Sequence, residues 1–197
     1  PINEALGRIL SEDIVARRNN PPMDNPAMDG YALIAKDIQS ATPETPVTLD
    51  IIEDLAAGYS PEMGVKPGQA VRIMTGAPIP EGADSVSMQE DTERNGNRVQ
   101  VRDKAEIREN IRDAGEDVRE GETVIKKGAD LLPAHIVMMA VVGRSSVLVG
   151  RRPSVAILST GDEIMDLDEP LSGPCIYNSN GYMLAAQIKS AGGTPSY

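Results

Sequence analysis

Apolar and polar residues alternate from Val47 to Leu55, with Val47, Leu49 and Ile51 in step, and this period of two predicts a strand. Ala70 to Met74 is a shorter apolar run that ends at Thr75-Gly76 and the turn-forming Pro78 and Pro80, and Ser85 to Met88 predicts another short strand. Asn95-Gly96, between Arg94 and Asn97, suits the positive φ angles of a tight primed turn, so Arg98 to Arg102 is expected to return as the second strand of a hairpin. Upstream, the mixed spacing of Ile2 to Val15 predicts a short helix or turn running into a strand. Asn19-Asn20-Pro21-Pro22 then forces an extended turn. Glycines and prolines from Gly58 to Gly68 mark a loop.

The pattern changes after Val118. Short apolar pieces separated by Gly121 and Gly128 predict small barrel-like β structure as far as Leu131. Pro133 opens a helix at its favoured first position, and Gly143 follows its end. Ile136, Val137, Met138, Met139, Val141 and Val142 make that helix apolar almost all round, as expected of one buried in its domain or against another subunit. Composition shifts at Arg151-Arg152-Pro153, and Val155-Ala156-Ile157-Leu158 reads as a strand covered on both faces. Asn178-Ser179-Asn180 supplies N-cap chemistry for a helix to Ala191, Gly192-Gly193 ends it, and Thr194 to Tyr197 starts a further strand. Strand, helix and strand are half of a parallel α/β sheet, so a C-terminal domain truncated at Tyr197 is expected.

Composition narrows the function classes. The 197 residues carry 19 Lys+Arg against 30 Asp+Glu, a net charge of −11, which repels nucleic acid. An anionic substrate would therefore need local cations or a bound metal. Cys175 is the only cysteine, which excludes an internal disulfide and fits a reducing cytoplasm. No apolar run is long enough to span a bilayer, and no signal pattern opens the chain; a start at Pro1 suggests that the natural N-terminus lies upstream. Phe and Trp are absent, so aliphatic and Met side chains must fill the core. His135 and Cys175 have no companions at catalytic or zinc spacing and read as structural, and no Walker loop or dinucleotide fingerprint occurs.

Four loops carry candidate chemistry. In Asp24 to Ala32, Asp29-Gly30 is a turn dipeptide whose carboxylate can cap its own backbone or act on a substrate. In Ile73 to Pro78, the Thr75 hydroxyl and the flexible Gly76 follow a strand and can hold a phosphate oxygen, or simply turn the chain. In Asn110 to Asp117, Arg112 can pair an anion bidentately while Glu116 and Asp117 hold a cation or move a proton; a solvated charged loop is the alternative. Ser159-Thr160-Gly161-Asp162-Glu163 lies beyond the carboxyl end of the apolar strand, where open α/β sheets bind ligands. Its hydroxyls and amides suit phosphate, and its two acids suit magnesium.

In this order the segments resemble the molybdopterin molybdenumtransferases, the molybdenum insertase family that includes the bacterial MoeA type and the C-terminal part of animal gephyrin. The resemblance runs through Ala5 to Leu10, Asp24 to Ala32, Arg72 to Pro80, Gly82-Ala83-Asp84 with Met88-Gln89-Glu90, Asn110 to Asp117, Ser159 to Glu163 and Ile176 to Asn180. It implies a cytoplasmic, homodimeric enzyme of molybdenum cofactor biosynthesis. Its reaction would be magnesium-dependent transfer of molybdenum from molybdate into adenylylated molybdopterin, with release of AMP. By position, Asp29, Thr75, Asp117 and Glu163 match residues linked to activity. Arg112, Ser159, Thr160, Gly161 and Asp162 are the implied substrate contacts, and Asp29, Asp117 and Glu163 are candidate magnesium ligands. Two departures are Asp113-Ala114, where many relatives are more basic, and Ser87, where an aliphatic residue is common.

The resemblance also implies a mixed α+β and α/β fold. A discontinuous β-rich lobe of residues 1–20 and 118–150 would be interrupted by an inserted α+β domain of residues 21–117. Residues 151–197 would begin a molybdopterin-binding α/β domain, truncated here, and the fragment alone is expected to be inactive. A gephyrin-type scaffold and a molybdopterin adenylyltransferase-related protein are the alternatives. The loop from Asp24 to Ala32 argues against the second.

Overall fold

The computed structural model describes residues 1–197, which form two compact units, Pro1–Val147 and Leu148–Tyr197. The first is mostly β. Its strands are β1 (Ile14–Val15), β2 (Asn25–Pro26), β3 (Gly30–Leu33), β4 (Val47–Leu55), β5 (Gln69–Ile73), β6 (Ser85–Met88), β7 (Thr92–Asn95), β8 (Arg98–Val101), β9 (Ile111–Arg112) and β10 (Thr123–Ile125). Six of them make one sheet in the order β6-β3-β5-β4-β8-β7, in which only β4 and β5 run parallel.

That sheet is buried on both faces because successive strand residues point to opposite sides. Tyr31 and Leu33 of β3 pack with Ile38, Leu49, Val99 and Val101. Ala32, between them, packs with Leu55, Val71, Ile73 and Val86 on the other side. No aromatic side chain other than Tyr31 takes part, so branched aliphatic residues fill both layers.

Three local expectations need correction. The hairpin forms, but Asn95 pairs with Arg98, so the two-residue turn is Gly96-Asn97 and not Asn95-Gly96. Gly96 at φ 62° takes the first central position of a II′-type turn, which favours glycine there. Residues 118–131 form no barrel. β10 pairs antiparallel with β1, and isolated bridges join Ile9 to Asp130 and Asn20 to Val118. Residues 21–117 contain strands and two 3-10 turns, Ala35–Ile38 and Gln89–Asp91, and no α-helix, so the α+β expectation there becomes nearly all β.

Helix α1 (Pro133–Val141) is present, yet Met139 is its only buried residue and Val137 is 63% exposed. Its all-round apolar surface is therefore not covered within the chain. His135, expected to lack a partner, has one: its Nδ1 accepts the Leu132 amide at 3.0 Å and closes the first turn.

The second unit contains β11 (Ser154–Ala156), β12 (Ile164–Met165), β13 (Ile176–Tyr177), α2 (Ser179–Ser190) and β14 (Thr194–Ser196). β11 and β14 pair in parallel with α2 between them in sequence, and β12 pairs in parallel with β13. Asn178 caps α2 by accepting the Gly181 amide at 3.0 Å, and Gly192 follows the helix at φ 83°. The expectation of a strand covered on both faces fails. β11 is exposed, Ile157 beyond it is buried, and Leu158 is 86% exposed. A continuous apolar run records what a strand can bury, and two paired strands with one helix cover little of it.

Candidate functional site

The first loop is set by a glycine. A Cβ on Gly30 would lie 2.0 Å from the Ser87 carbonyl oxygen, so β3 can approach β6 this closely only without a side chain. Gly30 pairs with Ile73 of β5 on one side and Met88 of β6 on the other. Asp29 therefore sits one residue before the sheet, and its carbonyl accepts the Gln89 amide at 3.0 Å.

Because β3 and β5 are antiparallel, the start of one lies beside the end of the other. The consequence is a contact across 46 residues: the Thr75 amide donates to Asp29 Oδ1 at 2.8 Å. The Asp29 carboxylate thus caps the second candidate loop and not its own backbone. Asp29, Thr75 and Gly76 are all exposed, and Gly76 adopts φ 86°. Oδ1 is engaged, while Oδ2 makes no hydrogen bond within the chain. Gly76 lines a cavity of about 170 Å³ together with Pro22, Met23, Asn25, Tyr59 and Pro78. Nothing in the residue pattern from Gly58 to Gly68 had marked that loop as a wall of the site.

The third segment is zipped along the first. β2 pairs with β9, Asn25 opposite Arg112 and Pro26 opposite Ile111. The Ala27 amide donates to the Asn110 carbonyl at 2.9 Å, and the Asp117 amide to the Asn20 carbonyl at 3.0 Å. Arg112 donates through Nη2 to Asp117 Oδ1 at 2.6 Å and through Nε to Glu116 Oε1 at 3.1 Å. Donation to the Asp117 carboxylate first, then to that of Glu116, raises the Arg112 pKa above its ordinary range. The Arg112 fork is thus occupied from within the chain, and a second Asp117 oxygen accepts Asn20 Nδ2 at 3.3 Å. An anion reaching Arg112 would have to displace carboxylates that already match its geometry.

The fourth segment belongs to the second unit. Ser159 donates its hydroxyl to Asn178 Oδ1 at 3.0 Å, the same oxygen that caps α2. The Glu163 carboxylate lies over Gly161, where a Cβ would come within 2.6 Å of Oε2. Thr160 and Asp162 are exposed. The first unit brings Asp29 to Thr75 and Arg112 to Asp117, as two separate contacts, and Ser159 to Glu163 form a turn in the second unit.

The donor set does not make a magnesium cage. No group of three or more His, Cys, Asp or Glu side chains converges to hold a metal, and Asp117 is already paired with Arg112. Two residues that spacing did not single out also bear on the geometry. Asp24 of the first segment and Arg108, two residues before the third, are joined by an ion pair of 2.8 Å. Asp24 lies inside the first of the four loops; Arg108 carries no motif signal.

Residues 1–143 match the family model of the MoeA N-terminal region, domains I and II. Over 192 residues the chain is 41% identical to molybdopterin molybdenumtransferase 2 of Mycobacterium tuberculosis, covering 98% of this chain and 47% of that protein. It is 40% identical over 200 residues to molybdopterin molybdenumtransferase of Bacillus subtilis, covering 100% of this chain and 46% of that one. The crystal structure of the molybdopterin biosynthesis MoeA protein from Pyrococcus horikoshii superposes with a TM-score of 0.89 at 37% identity, over 100% of this chain and 52% of that one. The chain spans about half the length of the curated relatives it matches.

Proposed function

The chain belongs to the family of the MoeA N-terminal region, and from that premise we propose that it is part of an enzyme that inserts molybdenum into molybdopterin during cofactor biosynthesis. The substrates in this reading are molybdate and adenylylated molybdopterin, and AMP is the leaving product. The observation that carries it is the hydrogen bond from the Thr75 amide to Asp29, which joins two family segments into one exposed acceptor and hydroxyl pair. Thr75 would donate to an oxyanion or phosphate oxygen. Asp29, oriented through Oδ1, would accept or hold a proton at Oδ2. Asp117 and Glu116 would hold the Arg112 fork in place. In the second unit, taken by itself, the Ser159 to Glu163 turn would offer hydroxyls, amides and a carboxylate to a phosphate.

Magnesium enters this reading as an ion carried by substrate phosphates, since it commonly binds through one or two carboxylates and phosphate oxygens. No step is assigned to it. The same reading takes residues 1–20 with 118–150 as one lobe, 21–117 as an insertion, and 151–197 as the beginning of a molybdopterin-binding domain. The pairing of β1 with β10 supports that layout, because it sets Ile14–Val15 beside Thr123–Ile125 across the intervening sheet. A cytoplasmic homodimer completes it, with the uncovered apolar surface of α1 as the candidate contact.

The test is turnover in the full-length protein, with molybdate, magnesium and adenylylated molybdopterin, followed by formation of the cofactor and release of AMP. Asp29→Asn keeps the shape and an acceptor for Thr75 but removes the charge, and it should lower the rate by about 100-fold or more if Asp29 handles a proton. An unchanged rate would rule out that role. The 197-residue chain alone should show no turnover.

A further inference from the structure

Three loops of the candidate site meet, through side chain and backbone, at one residue that the proposed chemistry does not use. Asp24 Oδ1 accepts the Ala114 amide at 2.9 Å, and Oδ2 accepts Arg108 Nη1 at 2.8 Å. Its backbone carbonyl accepts the Ile79 amide at 3.0 Å. Asp24 is thus bonded at once to the chain that follows Thr75 and to the segment that holds Arg112 and Asp117. Asp29 lies five residues on in its own loop. Arg108 continues the network to the Asp113 carboxylate.

Stability alone does not account for this arrangement. The side chains of Asp24 and Arg108 are 40% and 44% exposed, and ion pairs so exposed contribute little to folding. Yet Arg108 is held at φ 71° and Asn110 at φ 55°, in the left-handed region that residues with a Cβ seldom adopt. The strain is maintained by specific bonds. The Arg108 amide donates to the Asp84 carbonyl at 2.7 Å, and Asn110 Nδ2 donates to the Val86 carbonyl at 2.9 Å. A weakly stabilising pair, reached through strained backbone, is explained by where it puts the loops. Asp113 has a place here as the second acceptor for Arg108.

Resting on the reading above, we propose that Asp24, clasped by Arg108, is a positioning residue that sets the Thr75 loop and the Arg112–Asp117 segment against Asp29. It touches neither substrate nor reacting atoms. Its effect is on the geometry in which they meet, where a displacement of about 1 Å can change a rate by roughly 100-fold.

The experiment uses the full-length protein and measures kcat, KM and thermal midpoint for D24N and R108K, together with hydrogen exchange at the Thr75, Ile79 and Ala114 amides. D24N keeps an acceptor for Ala114 and loses the charge facing Arg108; R108K keeps the charge and loses the fork. The expected result for D24N is a fall in kcat of about tenfold or more with KM changed by less than roughly threefold, and a smaller fall for R108K. Exchange at Thr75 should quicken in both, although Thr75 bonds to Asp29 and not to the substituted residues. A merely structural role would lower the thermal midpoint and leave kcat per folded molecule unchanged, which overturns the proposal. If D24N does not fold, R108K decides: wild-type kcat overturns it, and a selective loss of kcat supports it. If the wild-type protein itself does not load molybdenum, the functional reading falls. Thr75 exchange then decides the positioning claim by itself, and unchanged exchange in a folded variant sinks it.

Discussion

Gly30 and Asp29 are neighbours with separable duties. At Gly30 the constraint is steric, since its missing Cβ leaves room for the Ser87 carbonyl. Gly30→Ala should push β3 from β6 and lower the unfolding free energy by about 1–3 kcal/mol or more, read as a shift in urea midpoint. At Asp29 the constraint is an acceptor for Thr75, so D29N, which keeps an amide oxygen there, should leave the urea midpoint nearly unchanged. Charge at the sheet edge makes a pH prediction. The Arg94 fork donates to Asp54 at 2.6 and 2.9 Å and, with Arg72 nearby, holds its carboxyl below the ordinary 3.8. Asp24 is lowered likewise, by the Ala114 amide first and then Arg108. For a depressed carboxyl the added stability is present above 3.8 and is lost as pH falls through the lower folded value. Thermal midpoints should therefore be flat at mild pH and decline below 3.8, and D54N should decline less steeply. Both side chains are substantially exposed, so the effect is modest.

At the scale of elements, burial separates what a pattern permits from what a fold uses. Helix α1 has apolar residues almost all round, but only Met139 is fully enclosed. Met139→Ala should cost about 2–5 kcal/mol. Val137→Ser, at an exposed position, should change the unfolding free energy by no more than about 0.5 kcal/mol in the isolated chain. If another subunit covers α1 in the complete protein, V137S should shift its oligomer equilibrium instead, seen by sedimentation. The hairpin makes a similar point at smaller size. Its existence followed from the Asn95-Gly96 turn dipeptide. Its register, with Gly96 first in the turn, was settled by β8 pairing with β4 on its far side, Val99 opposite Leu49. A two-residue turn has more than one low-energy placement, and a neighbouring strand selects among them.

Across the whole molecule, the two units differ in how much they bury. The six-stranded sheet encloses Ala32, Leu33, Val71, Val86 and Val99 completely, whereas β11 of the second unit is exposed along its length. Hydrogen exchange should therefore be slowest at the amides of β3 and β5 and fast in β11 and β14, because opening a thinly covered pair of strands breaks few contacts. Comparable protection in both units would show that residues 148–197 are stabilised by more than the burial seen here.

Much of this was legible along the chain. Alternation identified β4, a bounded apolar run identified β5 and β6, and capping residues identified α2, because those signals act over a few residues and depend little on what lies elsewhere. The four segments were legible too, as residue types in an order that resembles one family. What could not be read was their meeting. Asp29 reaches Thr75 across 46 residues and Asp24 reaches Ala114 across 90, and the length of such a contact leaves no periodic trace. Arg112 looked free in the sequence and is enclosed by its own loop's acids. The sequence by itself determined which strands and turns form and which chemistry is present. Strand order and register, decided only when β3 packed between β5 and β6 and β2 paired with β9, determined which of those groups share a site.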